Sequence, residues 1–461
     1  MRTAFGMFAM AAGGAVALVA ISGLARADDP APPAGATTQP YVTWQEYQRV
    51  LREQKEMREE LQELKKRNAV QAAPAAAIPA AAKSAPAAAE SSAPTNEELE
   101  EEIKVLKDAT DRNRGGLENV VIAGDADAGF TTQKGTKSSF SAGVAPLILW
   151  KPTDRFLFEA AFDIGIETDD TNSSSTSFDL TIANGSFIIN DYMMVGGGLF
   201  TTPFGVYHNH FDPPWINKFP DDPLAFGDSA IAPEHAVGAF VRGAIPISTA
   251  KVTYDLYVSN GPNLITNDPD AAGQLNFDEF SDLNNNKAVG GRLGFLPMPN
   301  VEMGYSIMGA QVNPSGFPST SGLFQAVDLN YRQIVDPLKG RFDFRAEWTW
   351  STVDRATYDP SGALGFGPVR FSNDRNGGYA QLLFRATKSD IEFFRNLEYG
   401  VRFDRVASSL SAPGGERENR LTLGLDYWFT PSLVLKAAYE FDDKKVGPNQ
   451  NAFLIQLGIG L

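Results

Sequence analysis

Phe156-Leu157-Phe158-Glu159-Ala160-Ala161-Phe162-Asp163-Ile164-Gly165-Ile166-Glu167 is the stretch whose reading decides how this chain folds. Successive side chains of a strand point to opposite faces. Phe156, Phe158, Ala160, Phe162, Ile164 and Ile166 therefore share one face, and Glu159, Asp163 and Glu167 the other. One face requires an apolar neighbour and the other requires water. The same alternation recurs in residues 251–258, 341–350, 397–404 and 433–441. These runs last about ten to thirteen residues, longer than the usual strand of a soluble sheet and matched to a tilted crossing of a bilayer.

Working outward, the connections between such runs alternate in length. Short ones at 151–155, 190–191, 246–249, 297–300, 335–339 and 430–431 interleave with long polar ones at 204–235, 260–286 and 352–375. A barrel in an outer membrane has this plan, with tight turns at one rim and long loops at the other. The sequence predicts sixteen strands, starting near residues 119, 139, 156, 177, 192, 236, 250, 287, 300, 323, 340, 377, 396, 419, 432 and 451. An even number brings both ends of the barrel, 119–461, back to the same side. The expected fold class is an all-β transmembrane barrel of about sixteen antiparallel strands, preceded by a short α-helical coiled-coil stalk.

The chain has 461 residues, no cysteine and a net charge of −16. These facts exclude a disulfide framework and thiolate chemistry, and argue against a nucleic-acid partner. Residues 1–27 read as a cleaved signal peptide: Arg2, an uncharged stretch, then Ala25-Arg26-Ala27. A Pro/Ala/Thr-rich linker covers 28–42. Thr43 and Glu46 form a capping box that opens a helix over 43–68, and Tyr47, Val50, Gln54, Met57, Leu61 and Leu64 mark a heptad seam. An Ala/Pro-rich linker follows over 69–95, then a short helix over 96–114 with Leu99, Ile103 and Leu106 on one face and a strongly acidic remainder.

Leu149-Trp150-Lys151-Pro152-Thr153-Asp154-Arg155-Phe156-Leu157-Phe158-Glu159, Gly198-Leu199-Phe200-Thr201-Thr202-Pro203-Phe204-Gly205, Val258-Ser259-Asn260-Gly261 and Arg402-Phe403-Asp404 carry a family likeness. Through them the chain resembles the bacterial outer-membrane porins of the phosphate-selective O/P type, in a stalked variant with an N-terminal periplasmic coiled coil. It departs from them in ending on Leu461, where an aromatic usually closes the barrel. The resemblance implies a homotrimer of sixteen-stranded barrels, each with a water-filled pore narrowed by the third external loop. It also implies outer-membrane lipid around the barrel, a stalk in the periplasm in reach of peptidoglycan, and passive diffusion of small hydrophilic solutes or ions. The alternatives are a structural anchor whose stalk tethers the membrane to the cell wall, and a soluble exported adhesin.

The loop from Gly205 to His235, the third external one, holds all three histidines and is rich in aromatics. It is expected to fold inward, so that His208, His210, Asp212, Trp215, Lys218, Asp221, Asp222 and His235 narrow the lumen. The alternative is an aromatic lid over the loops. His208-x-His210-x-Asp212 has metal-ligand chemistry, but Pro213-Pro214 deprives it of helical support. No metal or cofactor is expected.

Alternation also assigns charges to the lumen: Glu159, Asp163, Glu167, Arg242, Lys251, Asp255, Arg292, Arg341, Asp343, Arg345, Glu347, Arg402 and Asp404. To these it adds Asp125, Asp127, Asp179, Glu302, Asp328, Arg385, Glu398, Arg420, Asp426, Lys436 and Glu440. Acids outnumber bases, which argues for weak cation preference or little selectivity, and against a phosphate channel built from an arginine ladder. For each charge taken singly, an ion pair within the wall is the competing role. No nucleophile motif is present, so an enzyme is not expected. Gly196-Gly197-Gly198, inside a strand, marks a place where a loop or the stalk approaches the wall.

Overall fold

The structure, a computed structural model, describes residues 119–461 apart from 169–173, 228–230, 266–273, 278–279, 283, 314–318, 356, 359–361, 363–366, 372 and 411–414, and without the side chains of 167, 168, 174, 358 and 369. The expected signal peptide, both linkers, the coiled-coil helix and the short helix at 96–114 all lie outside the described residues.

Sixteen strands form one closed antiparallel barrel. They are β1 (Val120–Gln133), β2 (Ser139–Thr153), β3 (Phe156–Thr168), β4 (Ser174–Asn190), β5 (Met193–Thr201), β6 (His235–Ile247), β7 (Ala250–Ser259) and β8 (Ala288–Met298). The second half comprises β9 (Val301–Gln311), β10 (Ser321–Val335), β11 (Gly340–Val353), β12 (Asn373–Arg385), β13 (Leu397–Ala407), β14 (Arg417–Thr430), β15 (Leu433–Lys444) and β16 (Ala452–Gly460). Each strand pairs with the next, and β16 closes on β1, with Phe130 opposite Ile455.

All sixteen strands start within four residues of the positions read from alternation. The largest offset, at β12, has a simple cause. Asn373, Asp374, Arg375 and Asn376 are polar on both faces, yet they pair with Val353 through Trp350. The ladder continues past the apolar belt, where side chains no longer report it.

Strand β14 shows the inversion that defines the molecule. Leu421, Leu423 and Leu425 are exposed on the outside, while Thr422 and Asp426, on the alternate positions, are buried inside. Leaving such a leucine in water costs about 1.5–3 kcal/mol. Phe178, Phe187, Leu256, Val289, Leu293, Leu382 and Phe403 extend the belt around the barrel, so its outer surface is built for lipid.

At the tight-turn rim the connections are 154–155, 191–192, 248–249, 299–300, 336–339 and 431–432, with one longer excursion at 386–396. That excursion carries a short helix, α1 (Glu392–Asn396), and exposes Ile391, Phe393 and Phe394. Phe393 meets Tyr427, and Tyr427 meets Phe429, at 5.6 and 5.1 Å between ring centroids. Aromatic belts of this kind sit at headgroup level. The main apolar core is inside the barrel: Phe200, Phe204, Tyr207, Phe226 and Ile231 pack with Phe240, Phe324, Tyr379 and Val406.

Candidate functional site: the loop inside the barrel

The core lies inside because the chain between β5 and β6 turns into the lumen. Gly205 starts the turn with φ 66°, and a Cβ there would sit 1.6 Å from Glu347 Oε1, so only glycine fits. Its amide donates to Ser306 Oγ on β9 at 2.9 Å. The amides of Val206 and Tyr207 then donate to Glu347 Oε2 on β11 at 2.9 and 2.8 Å. A wide helical turn, Tyr207–Phe211, follows.

Beyond it the loop runs along the inner faces of β11 to β16. Arg345 stacks over the Phe211 ring at 4.0 Å and donates to the Ile216 carbonyl at 3.3 Å. Lys218 pairs with Glu398 at 3.0 Å and lies over the Trp428 ring at 4.4 Å. Arg402 and Arg420 each reach Asp221 at 2.9 Å. Arg402 also bonds the carbonyls of Asp221 and Asp222, and Lys436 donates to the carbonyls of Asn217 and Phe219 at 3.3 and 2.9 Å. These wall cations therefore hold the loop by its backbone as well as by its carboxylates, the strong form of hydrogen bond.

Wall glycines make room for this loop. A Cβ at Gly400 or Gly424 would meet the Phe219 ring at 2.9 or 2.8 Å, and one at Gly458 or Gly460 would meet Pro214 or Trp215 at 2.7 Å. The sequence reading placed such an approach at Gly196 to Gly198, and this is corrected. Gly196 faces the Phe240 ring and Ser186, and Gly197 and Gly198 face the neighbouring backbone. There a wall phenylalanine, not the loop, takes up the space.

Electrostatics follow from this packing. Burial opposes the Asp221 charge, but Arg402 and Arg420 overcome it and hold its carboxyl below the usual carboxylate range. Burial raises Asp222 and Tyr207, which share a hydrogen bond of 2.6 Å. Lys218 is drawn below the usual lysine range by burial, against the pull of Glu398.

The histidines diverge. His208 is buried against Tyr207 and Phe226, whereas His210 borders a cavity of about 440 Å³ with Arg242, Asp255, Arg292 and Glu302. His235 opens β6 beside Glu234 at 3.7 Å. Among the described residues no set of three His, Asp or Glu side chains is placed to hold a metal ion.

The charges assigned to the lumen separate into three groups by strand. On β11 and β13, Asp343, Arg345, Glu347, Arg402 and Asp404 are buried beneath or beside the loop; Asp343 lies between Arg332 at 3.0 Å and Arg345 at 3.1 Å. Arg341 pairs with Glu398 at 3.4 Å. On β6 to β10, Arg242 faces Asp255 at 3.3 Å, and Arg292 bridges Asp328 and Glu302 at 2.6 and 3.1 Å. Lys251 is exposed near a turn.

On β1 to β4 the inner face carries Asp125, Asp127, Glu159, Asp163 and Asp179, with Asp163 directly opposite Asp179. Lys151, at the turn rim, is the one basic residue in strands β1 to β5. Glu167 continues this series in sequence, its side chain outside those described. Across from this wall stands Asp212 of the loop, its side chain 42% exposed. Burial, then the charges of Asp222, Glu234, Asp125 and Asp163, raise its carboxyl well above the usual range.

No family model matches the sequence, and no curated protein matches it. Solved structures that share the barrel include Pseudomonas putida OprB, at 12% identity, with 76% of this chain and 96% of that one covered and a TM-score of 0.49. Salmonella typhi OmpF in complex with daunomycin aligns at 10% identity over 74% and 97%, with a TM-score of 0.48. Pseudomonas aeruginosa OccK5 aligns at 12% identity over 75% and 99%, with a TM-score of 0.42.

Proposed function

We propose that this chain is an outer-membrane porin, a passive path for small hydrophilic solutes with a preference for cations. The observation that carries this reading is the loop pinned across the lumen of a closed, lipid-belted barrel. A loop bound to β11–β16 obstructs that side and leaves passage beside β1–β4. Bases on the covered side are engaged by loop carbonyls and carboxylates, while the opposite wall offers one sign of charge. Rings or faces of one sign set ion preference in a pore. His208, His210, Asp212, Trp215, Lys218, Asp221 and Asp222 belong to the constricting loop, and Asp212 is the one that acts on passing ions.

The homotrimer and the periplasmic stalk belong to the same proposal. No feature of the barrel favours the tethering alternative. Planar-bilayer recording of the detergent-extracted protein tests the reading. Stepwise conductance, in threes for a trimer, with a reversal potential of cation-selective sign under a salt gradient, is expected. Silence from a folded barrel, or anion selectivity, overturns it.

A further inference from the structure

A second cavity, of about 510 Å³, opens at the tight-turn rim between the loop and the wall. Its lining includes Lys218, Arg332, Arg341, Arg345 and Arg385, with Trp215 and Trp428 at its sides. Two carboxylates answer four of these cations: Asp343 serves Arg332 and Arg345, and Glu398 serves Lys218 and Arg341. Arg385 hydrogen-bonds the Arg395 carbonyl and Asn396 Oδ1 and forms no direct ion pair among the described residues, with Glu398 acting on it only from a distance. Arg341 Nε is buried without a hydrogen-bond partner. The vestibule is thus short of negative charge in a protein that otherwise carries an excess of it.

The chain enters the barrel at this same rim. The Lys151 amide bonds the Asn119 carbonyl, beside the first tight turn. Just upstream the sequence holds Glu97, Glu98, Glu100, Glu101 and Glu102, five acids in six residues. From Glu102 to Asn119 the tether can span more than about 50 Å extended, and about 25 Å even if helical. Because β16 closes on β1, strand β14 is only three ladders from the entry point and β12 five. At 4.7–4.9 Å per ladder these are about 14 and 24 Å. The vestibule lies within reach of the acidic run by either measure.

We propose that residues 97–102 of this chain dock in the basic vestibule at the tight-turn rim of their own barrel. The glutamates add negative charge beside Arg341 and Arg385, which share the single carboxylate of Glu398 with Lys218. The docking does not depend on the channel reading.

The absence of cysteine makes the test direct. In the full chain, Glu100→Cys is combined with Thr430→Cys, which borders the vestibule, or with Lys137→Cys on the opposite rim as control. Oxidation of folded protein at low salt is expected to close a disulfide within one chain for the first pair and not for the second. Asn396→Cys replaces Thr430→Cys should that variant lose the heat-modifiable mobility of a folded barrel. Changing Glu97, Glu98, Glu101 and Glu102 to Gln, or raising salt to 1 M, is expected to slow crosslinking about tenfold, because exposed charge pairs are screened. No disulfide, a disulfide only between chains, or a rate indifferent to both charge and salt overturns the proposal. A barrel that passes no current leaves this readout intact, so the two readings fail separately.

Discussion

The wall formed by β1–β4 and the wall formed by β11–β15 obey the same alternating code and end in opposite states. In the first, carboxylates face the lumen across from a loop carboxylate, with basic residues missing from the strand interiors. In the second, acids and bases are interleaved and covered: Glu347, Arg402 and Lys436 are each at most 2% exposed. An inward-facing charge is therefore not the same thing as a pore-lining charge. The loop decides which it is, by covering one wall and facing the other.

The comparison breaks most severely at Arg402. Arg402→Ala leaves Asp404 without its buried partner and Asp221 with Arg420 alone, a loss of roughly 3–5 kcal/mol by analogy with other severed buried pairs. The expected outcome is a barrel whose loop is cut by added protease within 205–235 and whose conductance rises. Sequencing of the fragments and single-channel recording check it; an uncut loop with unchanged current contradicts the clamp.

Next in size is Gly424→Val, which drives a side chain into Phe219. Overpacking of this sort costs about 1–3 kcal/mol. Loop release without loss of the heat-modifiable barrel band is expected.

Removing one carboxylate charge from each wall sharpens the contrast. Asp163→Asn is expected to move the reversal potential toward zero. Glu347→Gln keeps an acceptor for the Val206 and Tyr207 amides and leaves the potential where it was. Equal shifts from the two variants erase the distinction between the walls.

The smallest effect is with pH. Asp212 is raised, so on acidification it takes up a proton above the usual carboxylate range of about 4, and cation preference declines there. Asp221 is lowered, so its share of the clamp persists until pH falls below that range. Selectivity thus weakens before the loop loosens, and recordings down a pH series alongside protease sensitivity show the order.

Strand positions were legible because alternation is local: each residue declares its face regardless of its neighbours across the barrel. The loop was legible as unusual, since its aromatics and histidines suit no solvated turn. Its destination was not. Lys436 reads as one more inward lysine, and nothing nearby in sequence says that its ammonium meets the Asn217 and Phe219 carbonyls more than two hundred residues away. Gly400 and Gly424 were a usable signal, being inward-facing strand glycines opposite each other, yet the more conspicuous Gly196-Gly197-Gly198 drew the reading to the wrong wall. The coincidence of Arg332, Arg341 and Arg385 at one rim needed the ladder register as well as the alternation.

The aromatic excursion at 386–396 sets a waterline. Phe393, Phe394 and Phe429 are exposed together on one side of the rim, and in a bilayer such rings would fix the draught of the barrel there, since tilting it would drag them either into oil or into water. Arg385, whose guanidinium bonds the end of that same excursion, is thereby moored at the surface. The vestibule mouth keeps its height relative to the bilayer whatever the long loops at the far rim are doing.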